Sequence, residues 1–387
     1  MTSCTPKKCN FATMEEIVKL RHLLHSIAEP SGNEAETNKA ICEWLRATNP
    51  DVLVENVGGY GIIALYKGRQ PGKRVMLRAD IDALYIPENG DLEYKSCHIG
   101  ISHRCGHDGH AAMLCGVAAE LGKKRPEKGE VMLVFQPAEE TGQGAAAVIA
   151  DKAFQDLKPD MAFGLHNIPG FDHGTICLRK GCFAAASFGM KICLEGATAH
   201  ASQPEKGLSP SIALAEMTTT LEQKRSEWSK HQPLTTFVIT HAELGEKSFG
   251  IAPGHAEIWL TLRSFDDHCL DKLKKEILDA ASSIAQSHEL AIKHSIHEAF
   301  SATVSDERCF EIVEKAAQAA ALPTLYLDQP FRWSEDFGRY AEVCPIAFFG
   351  LGSGLNQPPL HDQHYNFPDE IIPFGVRIFM SILNEKP

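Results

Sequence analysis

Three apolar, strand-like runs in this chain each end in side chains that bind cations. RVMLRADID ends at Asp80 and Asp82, EVMLVFQPAEE ends at Glu139 and Glu140, and MAFGLHN carries His166 near its end. In an open parallel sheet, ligands bind beyond the carboxyl ends of the strands. The pattern therefore predicts carboxylates and an imidazole delivered to one sheet edge. A fourth segment, SHRCGHDGH, places Cys105 and His107 two residues apart, just before a helix. Thiolate and imidazole suit borderline metals such as zinc. Gly106 and Gly109 let the backbone turn tightly there. A Cys-x-His pair alone says little, because a buried thiol beside a capping histidine gives the same pattern. Joined to three strand ends, it becomes a candidate cation site.

Glu139 and Glu140 need separate roles. Adjacent acids at a strand end usually mean a solvated loop, but these follow a very apolar run and sit between Pro137 and Thr141. Two neighbouring carboxylates can divide the work, one binding metal and the other moving protons. His166 taken alone reads as a core histidine. In PPLHDQHYNFPDE, His361 and His364 are rivals for one further ligand position. A competing chemistry makes Cys105 a covalent nucleophile with a histidine partner.

The elements that must position these groups follow from periodicity. Residues 13–29 and 33–48 read as amphipathic helices, with Leu20, Leu23, Leu24 and Ile27 on one side of the first. The first dozen residues read as a loose tail. VLVENV, GIIALYKG and RVMLRADID read as strands, and residues 108–124 as a helix with Asp108 near its start. Strands alternating with helices imply an α/β fold with a largely parallel sheet covered on both faces. From residue 184 the pattern changes to strand, helix, two strands, helix and strand. This βαββαβ order predicts an inserted α+β module at 184–297. Residues 1–183 and 298–387 would then form one discontinuous domain.

Bulk composition narrows the function classes. The chain has 387 residues and a formal net charge of -12. So acidic a surface does not favour nucleic-acid backbones or anionic lipid. Twelve cysteines spread through a chain of this length read as reduced side chains rather than a disulfide framework. No leader-like apolar segment opens the sequence, and no run reaches the roughly 18 apolar residues of a membrane helix. The expectation is a cytoplasmic protein.

With these residues in view, the sequence resembles the metallo-amidohydrolase and peptidase family of aminoacylases, hippurate hydrolases and auxin-conjugate hydrolases. LRADIDAL, CGHDGHAAMLCGVAAEL, FQPAEETGQGA, GLHNIP, GATAHASQP, SEDF and LHDQHYNFPDE occur in the family's order over nearly the whole chain. The resemblance implies a two-metal site for zinc, manganese or similar divalent ions. Cys105, His107, Glu140, His166 and His361 would be the ligands. Glu139 would be the general base and acid, and Asp82 would orient a ligand imidazole. Asp80 stands where related peptidases have a metal-binding histidine and is taken as support. His200 would bind the scissile carbonyl, and Arg263 the substrate carboxylate. His200 would arrive by closure of the inserted module or from a neighbouring subunit, since this module mediates dimers in similar proteins. The implied activity is hydrolysis of the amide bond of a small N-acyl amino acid. A dipeptidase or carboxypeptidase of the same metal class, and a silent binding protein on this scaffold, are the alternatives. Arg104, Gly250, Trp333 and Gln363 depart from the family pattern, and Arg104, Phe183, Gly250 and Trp333 are candidates for shaping specificity.

Overall fold

The structure, a computed structural model, describes residues 13–230 and 232–385. The loose tail expected for the first dozen residues lies outside them. The chain divides into two compact units. One comprises Met1–Phe183, Val304–Gln329 and Asp336–Pro387, and the other Ala184–Thr303 and Pro330–Glu335. Relative to the 184–297 segment read from the sequence, the second unit runs on to Thr303 and takes in Pro330–Glu335. The Ala185 N–H donates to the carbonyls of Phe331 and Trp333 at 3.1 and 3.0 Å, which ties that short segment down.

The first unit is built on an eight-stranded sheet. Its leading strands are β1 (Val52–Val57), β2 (Gly61–Lys67), β3 (Gln70–Asp80), β4 (Lys128–Gln136) and β5 (Met161–Ile168). The spatial order is β1, β2, β4, β3, β5, Ile346–Gly352, Ile176–Leu178 and Thr324–Tyr326. The middle, from β4 through β3 and β5 to Ile346–Gly352, is parallel. β1 with β2 and β2 with β4 are antiparallel, as is Ile346–Gly352 with Ile176–Leu178. Every residue of β5 and of Ile346–Gly352 is buried. Such continuous burial is what a sheet covered on both faces produces.

Three helices position the site: α1 (Met14–Ser26), α2 (Ala35–Ala47) and α3 (His107–Lys123). A capping box at Thr13 and Glu16 starts α1. α3 is buried on nearly every side from His107 to Ala119, so it behaves as a core helix rather than an amphipathic one. Its glycines make this packing work. A Cβ at Gly109 would meet the Phe367 ring at 2.3 Å, and one at Gly116 would meet Val376 at 2.6 Å.

In the second unit an antiparallel sheet runs in the order Thr235–Leu244, His255–Ser264, Ala186–Glu195, Ala291–Phe300. Helices Ser211–Trp228 and Asp267–Ser287 pack on it. Met190, Ile192, Leu194, Ile258, Leu260 and Leu262 are buried, alternating with more exposed neighbours. That period of two is the mark of a sheet with one covered face. No helix among the described residues is long and apolar enough to cross a membrane.

Candidate metal centre

His107 opens α3, and its ring is set by a residue that follows β3. Nδ1 lies 3.0 Å from the Asp82 carbonyl oxygen and 3.1 Å from Asp82 Oδ1. Both are acceptors, so in the neutral imidazole Nδ1 carries the proton and Nε2 keeps its lone pair. That lone pair is buried without a hydrogen-bond partner, and so is Oε1 of Glu140, 3.7 Å away. With the imidazole neutral, two acceptors without hydrogen-bond partners face each other, which is costly unless a proton or a metal cation lies between them.

The remaining donors surround this pair. Cys105 Sγ is 3.4 Å from His166 Nε2. His166 Nδ1 is 2.8 Å from the Asn167 carbonyl, which places the proton there and the lone pair on Nε2. His361 Nε2 is 3.6 Å from Glu140 Oε1. Ligand atoms of Cys105, His107 and His166 lie within 4.8 Å of one another, as do those of Cys105, Glu140 and His361 and those of His107, Glu139 and Glu140. Cys105, His107, Glu139, Glu140, His166 and His361 are thus brought together at one sheet edge. Of the two rivals in the C-terminal loop, His361 faces Glu140, whereas His364 Nδ1 is 3.0 Å from Asp362 on the exposed side. His361 adopts φ +68°, a left-handed conformation uncommon for a residue with a Cβ, and its N–H donates to the Arg104 carbonyl at 2.8 Å.

The electrostatics favour a cation. Burial pushes the Glu140 carboxyl up to about 7, with Asp82 and Asp80 adding to the effect. Burial also drives the Cys105 thiol well above its ordinary range, reinforced by Glu140, Glu139 and Asp80. This is the reverse of what a thiolate nucleophile requires, so the covalent-cysteine chemistry lacks support. Burial alone would lower His107, but Asp80, Asp82 and Glu140 outweigh it and push the imidazole up to about 10. A bound divalent ion inverts this local balance by stabilising carboxylate, thiolate and neutral imidazole together. Soft sulfur, imidazole and carboxylate in one cluster form a donor set for zinc-like ions.

Asp80 is already engaged. Oδ1 is 2.6 Å from His110 Nδ1, and Oδ2 accepts from Arg78 Nη1 at 2.7 Å. His110 Nε2 accepts the Asn167 N–H at 3.1 Å. Both His110 nitrogens are therefore committed, and the residue braces the site. Sequence reading passed over His110, although its position three residues beyond His107 puts the two on one helix face. Nothing local in the sequence marks Asp336, in the SEDF motif, as part of the site either. Its N–H donates to Glu139 Oε1 at 3.3 Å, and its carboxylate accepts from Gln136, Arg78 and the Ala145 N–H.

His200 and Arg263 belong to the second unit. His200 is exposed, and its Nδ1 accepts the Ser202 N–H at 3.1 Å, which leaves the proton on Nε2. Arg263 Nη1 donates to the Arg332 carbonyl at 2.9 Å and to Ser334 Oγ at 3.1 Å. Cys193, His255 and Glu257 also group within 4.8 Å on that unit's sheet, but the Lys191 ammonium already pairs with Glu257 there. Two of the residues that depart from the family pattern take plain structural places. Arg104 is fully buried, pairs with Glu88 at 3.0 Å and donates to the Tyr365 carbonyl. Trp333 stacks on Phe331 with ring centroids 4.8 Å apart. Phe183, the other specificity candidate of the first unit, is fully buried.

Residues 76–385 match the model of peptidase family M20/M25/M40. An N-acetyl-L-cysteine deacetylase of Bacillus subtilis is 33% identical over 92% of this chain and 84% of its own. A thermostable carboxypeptidase of Saccharolobus solfataricus is 31% identical over 93% of this chain and 92% of its own. Among solved structures, a Bacillus subtilis protein described as a dinuclear metal binding peptidase of the M20 family superposes with a TM-score of 0.81. It is 26% identical and covers 96% of this chain and 97% of its own.

Proposed function

This chain belongs to peptidase family M20/M25/M40, and from that premise we propose that it hydrolyses the amide bond of small N-acyl amino acids. The observation that carries the reading is the meeting of buried Cys105, His107 and His166 with Glu140 and the half-exposed His361 beside Glu139. The partnerless atoms His107 Nε2 and Glu140 Oε1 fit a pair of divalent ions, as in the dinuclear relative. Such ions would supply Lewis acidity and acidify a water at neutral pH. Glu139 is buried at the edge of the cluster, and its Oε1 accepts the Asp336 N–H, which orients the carboxylate. It takes a proton from the attacking water as oxygen bonds to the amide carbon. It then returns that proton to the leaving amine as the C–N bond breaks, so one carboxyl serves both steps. For His200 and Arg263 we propose the substrate-side roles. Nε2–H of His200 donates to the carbonyl oxygen that gains charge, and the guanidinium of Arg263 binds the amino acid carboxylate.

The acetyl-removing relative supports an acylated amino acid, and the carboxypeptidase relative supports a peptide with a free carboxyl end. Both share the bond and the carboxylate. The test is turnover of a mixed library of N-acetyl, N-benzoyl and dipeptide amides, read by mass spectrometry for wild type and Glu139→Gln, with metal analysis of both. We expect acyl amino acids to be cleaved by wild type. Glu139→Gln should keep its metals and lose turnover by a factor of about 100 or more. A fully active Glu139→Gln sinks the proton-carrier assignment, and cleavage of dipeptides alone transfers the reading to a peptidase.

A further inference from the structure

Glu139 is preceded by a residue held in an unfavourable conformation. Ala138 has φ +53°, in the left-handed region where a Cβ crowds the following carbonyl. Such strain persists only where its surroundings hold it in place. Here both backbone groups of Ala138 are tied. Its carbonyl accepts the Gly144 N–H at 3.0 Å and the Thr141 hydroxyl at 3.2 Å. Its N–H donates to Oε1 of Glu34 at 2.9 Å, from the residue that caps α2. The same Oε1 accepts the Gly32 N–H at 2.9 Å.

Glu34 is fully buried, and its second oxygen, Oε2, has no hydrogen-bond partner. A buried carboxyl kept for stability alone would be expected to have both oxygens satisfied. Burial raises it to about 7, against the backbone hydrogen bonds that lower it. The side chain bears its desolvation cost, and the return visible in the structure is a fixed point for the Gly32 and Ala138 amides. The Ala138 peptide is one residue from the carboxylate that must carry the proton. Resting on the assignment of Glu139 given above, we propose that Glu34 is a positioning residue that clamps Ala138 in its left-handed conformation and so aims the Glu139 carboxylate.

The experiment compares kcat, KM and bound metal for wild type, Glu34→Ala, Glu34→Gln and the double variant Glu34→Ala with Ala138→Gly. Without the clamp, Ala138 relaxes toward negative φ and Glu139 turns away. Glu34→Ala should lower kcat by about tenfold to a hundredfold, the scale of a small misplacement of a reacting group, while KM and metal content stay at wild-type values. Glu34→Gln keeps an amide oxygen at the same reach and should retain most of kcat. Glycine takes positive φ without steric cost, so Ala138→Gly should restore part of the kcat lost in Glu34→Ala. That recovery is a readout a general structural role would not give. If Glu34→Ala fails to fold, Glu34→Asp, one methylene too short to reach both amides, should show the same selective loss. The inference is overturned if Glu34→Ala and Glu34→Asp keep wild-type kcat, if metal is lost in step with kcat, or if glycine at 138 restores nothing. Glu139→Gln in the same assay separates the two ideas: its inactivity beside a fully active Glu34→Ala removes the clamp and leaves the proton carrier standing.

Discussion

Asp82 serves two candidate ligands with two oxygens. Oδ1 and the backbone carbonyl fix the proton of His107 on Nδ1, and Oδ2 accepts the Glu140 N–H at 3.0 Å and the Ser31 hydroxyl at 2.7 Å. The carboxylate thus sets the tautomer of one donor and the backbone of another. Burial opposes its charge, but the hydrogen bond and charge of His107 and the Glu140 N–H outweigh that and keep it ionised. Partners of this kind typically govern metal affinity by about 10- to 100-fold. Asp82→Ala should lose metal in that range in competition with a chelating dye while Glu139 stays in place, and unchanged affinity would remove Asp82 from this role. Of the candidate ligands, Glu140 and His166 stand out in the sequence because they end apolar runs, and Cys105 and His107 because they form a Cys-x-His pair, whereas His361 is singled out only by the resemblance. Glu34 does not stand out, since its partner Ala138 lies 104 residues downstream and no local pattern links them. Residue types alone leave His361 and His364 open, because both stand in the same polar loop; the resemblance picks His361, and the structure turns it toward Glu140.

At the level of elements, α3 is held by charge as much as by apolar packing. Asp108, in its first turn, forms an ion pair with Arg21, Oδ2 lying 2.9 Å from Nε, and lies 2.8 Å from His25 Nδ1, both on α1. His25 continues to Glu88 at 3.0 Å, and Glu88 to Arg104 at 3.0 Å. Asp108, Arg21 and His25 are completely buried. Burial would raise the Asp108 carboxyl, but Arg21 and the neighbouring histidines hold it far below the usual carboxylate range. Removing one partner of a buried ion pair leaves the other charge uncompensated, at a cost of roughly 3–5 kcal/mol. Asp108→Ala should therefore lower the urea midpoint by an amount equivalent to that, with the m-value unchanged. A midpoint equal to wild type would show that α1 and α3 are held by apolar contacts alone. The sequence showed the helix and placed Asp108 near its start, yet gave no sign that its partners lie on α1. It ran β4 through to the glutamates, whereas Pro137 ends the ladder after Gln136 and puts both acids in the loop beyond. Ile176–Leu178 and Thr324–Tyr326 went unnoticed because three residues are too few to show a period.

For the whole molecule, the division into two units has an energetic consequence. All five candidate ligands of the cluster, with Glu139, Asp82 and Glu34, belong to the first unit. Ligand binding stabilises only what must be folded to bind, by about 2.7 kcal/mol for one site at a free concentration one hundred times its Kd. The sequence already separated the units by pattern, a parallel α/β run giving way to βαββαβ. It could not show that Pro330–Glu335 joins the second, because six residues without periodicity carry no signal. Chelation should therefore deprotect the amides of the first unit selectively in hydrogen–deuterium exchange, above all in β3, β5 and α3. Exchange in Ser211–Trp228 and Asp267–Ser287 should stay as it was with metal bound, because those helices pack on the second unit's own sheet. Activity should fall in step with loss of protection in the first unit and return when divalent ions are added back. If both units lose protection equally, they unfold as one cooperative body. If neither changes while activity is abolished, the cations contribute to catalysis without holding the fold, and the partnerless atoms His107 Nε2 and Glu140 Oε1 must be tolerated at the expense of native stability.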